Sequence, residues 1–104
     1  MKRLIVSADD FGLTASVNEG IVKARREGIV TSVNLMPTGE AFAGAVKLAK
    51  EAGIQEAGAH LALTETSPLT ERARIPTLTA HDGGFYKNYS PFFLRLFTGR
   101  IDLD

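Results

Sequence analysis

The chain has 104 residues, 44% of them hydrophobic and 23% charged, and its 12 basic residues balance 12 acidic ones for a formal charge of zero. That is the composition of one soluble globular domain, without the basic excess that binds nucleic acid or an anionic membrane. Zero cysteines exclude disulfides, thiolate metal sites and cysteine nucleophiles, so any metal must sit on His, Asp or Glu, and the composition suits a reducing cytoplasm.

The opening carries too few apolar residues before Ser7 for a signal-peptide core, and no stretch approaches the ~20 apolar residues that cross a bilayer. The expectation is a cytoplasmic protein with no transmembrane segment. Residues 4–8 form a continuous apolar run, the pattern of a strand covered on both faces. Ser16 and Glu19 then offer a capping box, and Val17, Ile21 and Ala24 recur at helical spacing until Gly28. Residues 29–36 are rich in β-branched side chains and predict a second strand, ended by Pro37, Thr38 and Gly39. A second helix places Phe42, Ala45, Leu48, Ala49 and Ala52 on one face, with Gly53 where a C-terminal glycine belongs. Residues 57–63 predict the third strand. Strands alternating with helices point to an α/β fold with a parallel sheet, either open or part of a (β/α) barrel.

In both architectures the active site lies at the carboxyl ends of the strands, where Asp9, Asp10, Asn34, Thr38, His60 and Thr64 fall. Beyond Thr64, residues 64–84 hold Pro68, Pro76 and a Gly83-Gly84 pair, the composition of a long irregular loop. Residues 89–97 predict a last helix starting near Ser90 and Pro91, its aromatic side chains read partly as helix core and partly as a surface for a sugar or a base.

The stretch SADDFG, residues 7–12, ends the first strand on two adjacent carboxylates. In a low-dielectric strand end both are held ionised only at a cost, which a divalent cation would remove. One carboxylate could then bind the metal while its neighbour takes a proton from water; the alternative is a solvated turn with Asp10 as a helix cap. His60, with apolar neighbours in the third strand, is either a hydrogen-bonded core histidine or a ligand converging with Asp10 on one ion. His81, in the run His81-Asp82-Gly83-Gly84, reads as a turn residue. No phosphate-binding glycine loop and no glycine-flanked serine nucleophile is present.

The runs RLIVSADDFGLTASVNEGIVKARREGIVTSVNLM and GAHLALTETSPL resemble the opening of the YdjC-like, ChbG-type carbohydrate deacetylase family, and IPTLTAHDGGFYKN is similar to the version associated with hopanoid biosynthesis. The resemblance implies a TIM-barrel-like (β/α) fold and metal-dependent removal of an acetyl group from an N-acetylated amino sugar, either a chitooligosaccharide or an N-acetylglucosaminyl glycolipid. Carried over residue by residue, Asp9 is the implied general base, while Asp10 and His60 are the implied ligands of a divalent metal ion, Mg or Zn. The family takes a third ligand from a downstream H-x-H-type strand, which His81 does not match. Three strands also cannot close a barrel. The resemblance therefore implies that residues 1–104 are the N-terminal portion of a single (β/α)-barrel deacetylase domain, a partial barrel with weak or no activity by itself. A split gene and self-association of the short chain are the alternatives to a fragment, which is the favoured reading. Two readings of other classes compete: a non-catalytic piece that binds a sugar or a partner chain, and a magnesium-binding receiver-type signalling module, which would need an aspartate at the end of the third strand.

Overall fold

The computed structural model of the chain describes residues 2–102. They fall into two compact units, one ending at Leu61 and the other starting at Ala62. The first unit alternates β1 (Ser7–Phe11), α1 (Ala15–Glu27), β2 (Ser32–Leu35), α2 (Phe42–Glu51) and β3 (Gly58–Ala59). Its three strands are parallel and lie in sequential order, β1-β2-β3. This is the α/β alternation read from the pattern of residues, in the strand order with which a (β/α) barrel begins.

The strands are shorter than expected, and the first is displaced. Leu4 and Ile5 stay 79% and 77% exposed, and β1 begins at Ser7. Of the three apolar residues before it only Val6 is tied down, its carbonyl accepting from the Thr31 and Ser32 amides at 2.9 and 3.1 Å. A strand extends only as far as its partner offers hydrogen bonds. The chain enters β2 at Ser32, so Leu4 and Ile5 have nothing beside them, and Ile29 is likewise exposed rather than opening β2. β3 is reduced to Gly58 and Ala59, although the His60 amide extends its pairing by donating to the Leu35 carbonyl at 2.7 Å.

Helices α1 and α2 cover one face of the sheet. Phe11 and Val33 pack there with Ile21 and Val22 of α1 and Ala45 and Ala49 of α2 as a single buried cluster. The opposite face is polar. Asn34 of β2 hydrogen-bonds across it to Ser7 and Asp9 of β1. The expectation of a first strand apolar on both faces thus gives way to one that alternates, with Ala8 and Phe11 toward the helices and Ser7 and Asp9 away from them.

Helix α1 is capped by Thr14 and not by Ser16: the Thr14 hydroxyl accepts from the Val17 amide at 3.2 Å. The turn closed by the Leu13 amide on the Asp10 carbonyl, at 2.9 Å, brings the chain into helical geometry two residues early. Ser16 then lies in the first turn, its hydroxyl 3.1 Å from that of Thr14. Thr14→Ala is accordingly expected to destabilise the chain by about 1 kcal/mol in urea unfolding, and Ser16→Ala by clearly less; the reverse order would restore Ser16 as the cap.

The end of α2 follows expectation. Gly53 takes φ +67°, its amide donates to the Lys50 carbonyl at 3.1 Å, and the Ile54 amide reaches back to Ala49 at 2.9 Å. This pair of bonds is a Schellman motif, which requires a residue at ease in the left-handed region, and it returns Ile54 to the core cluster.

In the second unit, residues 64–84 form no regular strand, as their composition predicts. Isolated bridges join Thr64 to Tyr86 and Thr79 to Phe85, and a single 3-10 turn spans Arg72–Arg74. Thr79, Phe85 and Ile101 are its buried residues. Helix α3 (Tyr89–Phe97) occupies the expected residues but buries none of them. Of the aromatic stretch only Phe85 is in a core; Phe93 and Phe97 stack on each other at 6.0 Å and remain exposed. His81 stands in an exposed turn, where its carbonyl accepts from Arg72 at 3.1 Å. Among the described residues no helix is long and apolar enough to cross a membrane.

Candidate active site at the carboxyl ends of the strands

The two carboxylates lie in an irregularity of β1. Ala8 is paired with Val33 and Phe11 with Leu35, so β1 spends three steps where β2 spends two. The extra residue is a bulge, the device by which a strand re-aims its side chains next to a site. Asp10 sits in it with φ +63°, a left-handed conformation that aspartate tolerates better than most residues but that still costs energy.

The bulge sends the two acidic side chains to different partners. Asp10 meets His60 across the end of the intervening β2: the Asp10 amide donates to His60 Nδ1 at 3.2 Å, and the same nitrogen lies 3.4 Å from Asp10 Oδ1. Asp9 turns toward the polar face, where Asn34 Nδ2 donates to its Oδ1 at 2.6 Å and to Ser7 Oγ at 2.9 Å. The side chains of Asp10 and His60 remain 47% and 31% exposed, and Asp9 is exposed as well. The two carboxylates are thus not crowded together in a dry strand end: each has its own partner and both reach the surface.

Sequence reading brought Asp9, Asp10 and His60 to one end of the sheet, and the structure places them there. Thr38 lies in the turn after β2, and Thr64 belongs to the other unit, where it pairs with Tyr86. Asp10 does not cap α1, since Thr14 does. The aspartate of a receiver module has no counterpart at the end of β3, where Gly58, Ala59 and His60 stand. Two asparagines matter more than their types announced. Asn34 holds Asp9, and Asn18, 1% exposed on α1, accepts from the Gly12 amide at 2.7 Å and donates to the Ala41 carbonyl at 3.0 Å. It thereby ties the turn after β1 to the turn after β2. The only available signal was a polar residue recurring inside an apolar periodicity.

An imidazole and a carboxylate in contact are donors of the kind that bind zinc or a similar divalent cation. In kind they fit; in number they are two, for among the described residues no group of three His, Cys, Asp or Glu could hold a metal ion. With Nδ1 accepting from the Asp10 amide, the ring proton sits on Nε2. A cation held by Asp10 Oδ1 and His60 together would take the lone pair of Nδ1 in place of the Asp10 amide.

The profile of the YdjC-like protein family matches residues 3–104. A carbohydrate deacetylase of Brevibacillus brevis is 51% identical over 83 residues, which are 80% of this chain and 33% of that protein. A carbohydrate deacetylase of Listeria welshimeri is 40% identical over 102 residues, 98% of this chain and 39% of its own length. The crystal structure of a proposed cellobiose-phosphate cleavage protein from Enterococcus faecalis V583 matches with a TM-score of 0.80 at 32% identity, covering 95% of this chain and 37% of that one. The chain thus spans between a third and two fifths of the length of these relatives.

Proposed function

The chain belongs to the YdjC-like protein family, and from that membership we propose that it carries the acid–base and cation-holding part of a carbohydrate deacetylase acting on an N-acetylated amino sugar, within the opening units of a (β/α) barrel. The observation that carries the proposal is the division of labour at the bulge: Asp10 faces His60, and the adjacent Asp9 is held separately by Asn34. That division supports a reading in which one carboxylate serves a cation and the other is free of it. The names of the relatives supply the substrate class.

In this reading Asp10 and His60 hold a divalent cation, and Asp9 is the base. A cation bound there supplies Lewis-acid polarisation of the acetyl carbonyl and makes water more acidic. Asp9 takes the proton of the attacking water as its oxygen bonds to the acetyl carbon; the nitrogen then takes that proton back from Asp9 as the C–N bond breaks, giving the free amine and acetic acid, which ionises to acetate.

A catalytic zinc is usually held by three protein donors and keeps a fourth position open. With two, the 104-residue chain is expected to bind zinc with a Kd on the order of 10 μM or weaker, far from the nanomolar range of complete sites, and to release acetate slowly at most. Isothermal titration with zinc tests this. Asp10→Ala and His60→Ala should each weaken binding by at least about tenfold, whereas Asp9→Asn should keep the binding and lose any acetate release. Zinc binding indifferent to both Asp10 and His60 would remove the proposed site.

A further inference from the structure

We infer that Asn34 is the residue that positions the carboxylate of Asp9, and that Gly58 is required on the neighbouring strand because any side chain there would push Asn34 away. The inference rests on the reading of Asp9 as the base and adds to it the device that aims it.

Asn34 stands in the middle strand, between the carboxylate on β1 and a glycine on β3. Its amide nitrogen donates to both Asp9 Oδ1 and Ser7 Oγ, which uses both protons of the NH2 group. A carboxylate only accepts, so this side of the amide must be the nitrogen and the oxygen must point the other way. There it meets Gly58, its register partner on β3. A Cβ built on Gly58 would overlap the Asn34 Oδ1 and press on its Cγ. Gly58 does not have a positive φ, so the backbone does not call for glycine at this position. What calls for it is the space that the Asn34 amide fills.

The two contacts fix the amide plane from both sides, and the amide in turn fixes Asp9. With Oδ1 engaged by Asn34, Oδ2 accepts no hydrogen bond among the described residues, and it is the oxygen left to receive a proton. Ser7 completes the arrangement by accepting the second amide proton, so that the Asn34 side chain cannot rotate without breaking two bonds at once. A residue that shapes the base in this way is separate from the cation donors Asp10 and His60, with which Asn34 has no hydrogen bond.

The test uses the whole chain, labelled with carbon-13 and nitrogen-15, at one neutral pH. The Asn34 side-chain nitrogen is expected to show a through-hydrogen-bond coupling to the Asp9 carboxyl carbon. Gly58→Ala should abolish that coupling and move the Asp9 carboxyl signal, and Asn34→Ala should move the same signal in a chain that remains folded. Gly20→Ala is the control, because a Cβ there meets nothing within 4 Å, and it should leave both signals in place. Should Gly58→Ala fail to fold, Asn34→Ala, which only shortens a partly exposed side chain, decides alone. A purely structural role for Asn34 would lower the unfolding midpoint without moving the Asp9 carboxyl signal, and that result, or a coupling that survives in Gly58→Ala, overturns the inference. Failure of the underlying reading looks different. Acetate release from N,N′-diacetylchitobiose unaffected by Asp9→Asn would remove Asp9 as base while leaving every spectral result in place.

Discussion

Phe11→Ala is expected to destabilise the chain by about 3–5 kcal/mol. Phe11 is 0% exposed, stands at the end of β1, and belongs to the core cluster that joins the sheet to both helices. Its carbonyl also accepts from the Met36 amide at 2.8 Å, so the residue anchors the first strand by side chain and backbone together. A small domain has a net stability of roughly 5–15 kcal/mol, and a unit of this size sits toward the low end. The substitution therefore removes a large share of the whole. Urea unfolding followed by circular dichroism should show a midpoint far below that of the parent chain, or a chain already unfolded in buffer. A loss under about 1 kcal/mol, the range of an accommodating surface position, would mean that the cluster does not carry the fold. Zinc binding should disappear with it, since Asp10 directly precedes Phe11 and takes its left-handed conformation in the bulge that Phe11 closes against Leu35.

The second large effect is expected at Asn18. Asn18→Leu keeps the side-chain volume and removes both hydrogen bonds, leaving the buried Gly12 amide without a partner, while the Ala41 carbonyl keeps the Ala45 amide at 3.0 Å. An unpaired buried group costs about 1–3 kcal/mol, so a loss of that size is expected. The effect should not stay local. The Ala41 amide donates to the Gly12 carbonyl at 2.9 Å, and Gly39 lies so close to the Gly12 backbone that a Cβ on it would overlap the Gly12 carbonyl. Asn18 is thus the side chain that locks two backbone turns together directly beside the acidic pair. Titration of Asn18→Leu with zinc under conditions where it is still folded should give weaker binding than the parent, although Asn18 offers no donor to a cation. Unfolding and zinc binding both at parent values would show that the two turns hold without it.

Alternation of strand and helix, the glycine stop after α2 and the position of α3 were legible in the residues themselves. Each depends on interactions within a few residues: a periodic apolar face, a left-handed residue at Gly53, a proline in the first turn of α3. The types that make up the candidate site were legible for the same reason, because Asp9-Asp10 and His60 stand at the ends of recognisable apolar segments. Their placement at the carboxyl ends of parallel strands followed from the topology alone.

Tertiary structure decided the rest, because the deciding contacts join residues far apart in the chain. Where β1 begins depends on where β2 offers partners, so the apolar Leu4 and Ile5 lie outside the strand and the polar Ser7 and Asp9 inside it. Thr14 displaced Ser16 as cap because a turn closed from Asp10 set the start of the helix. The bulge that parts Asp9 from Asp10 is a mismatch between two strands and has no mark in either one. Asn34 reaches Asp9 across 25 positions, and His60 reaches Asp10 across 50. The sequence by itself named the chemical groups at the end of the sheet. Only the packing of three strands determined which group holds which, since the partner of a side chain is set by register and not by its neighbours in the chain.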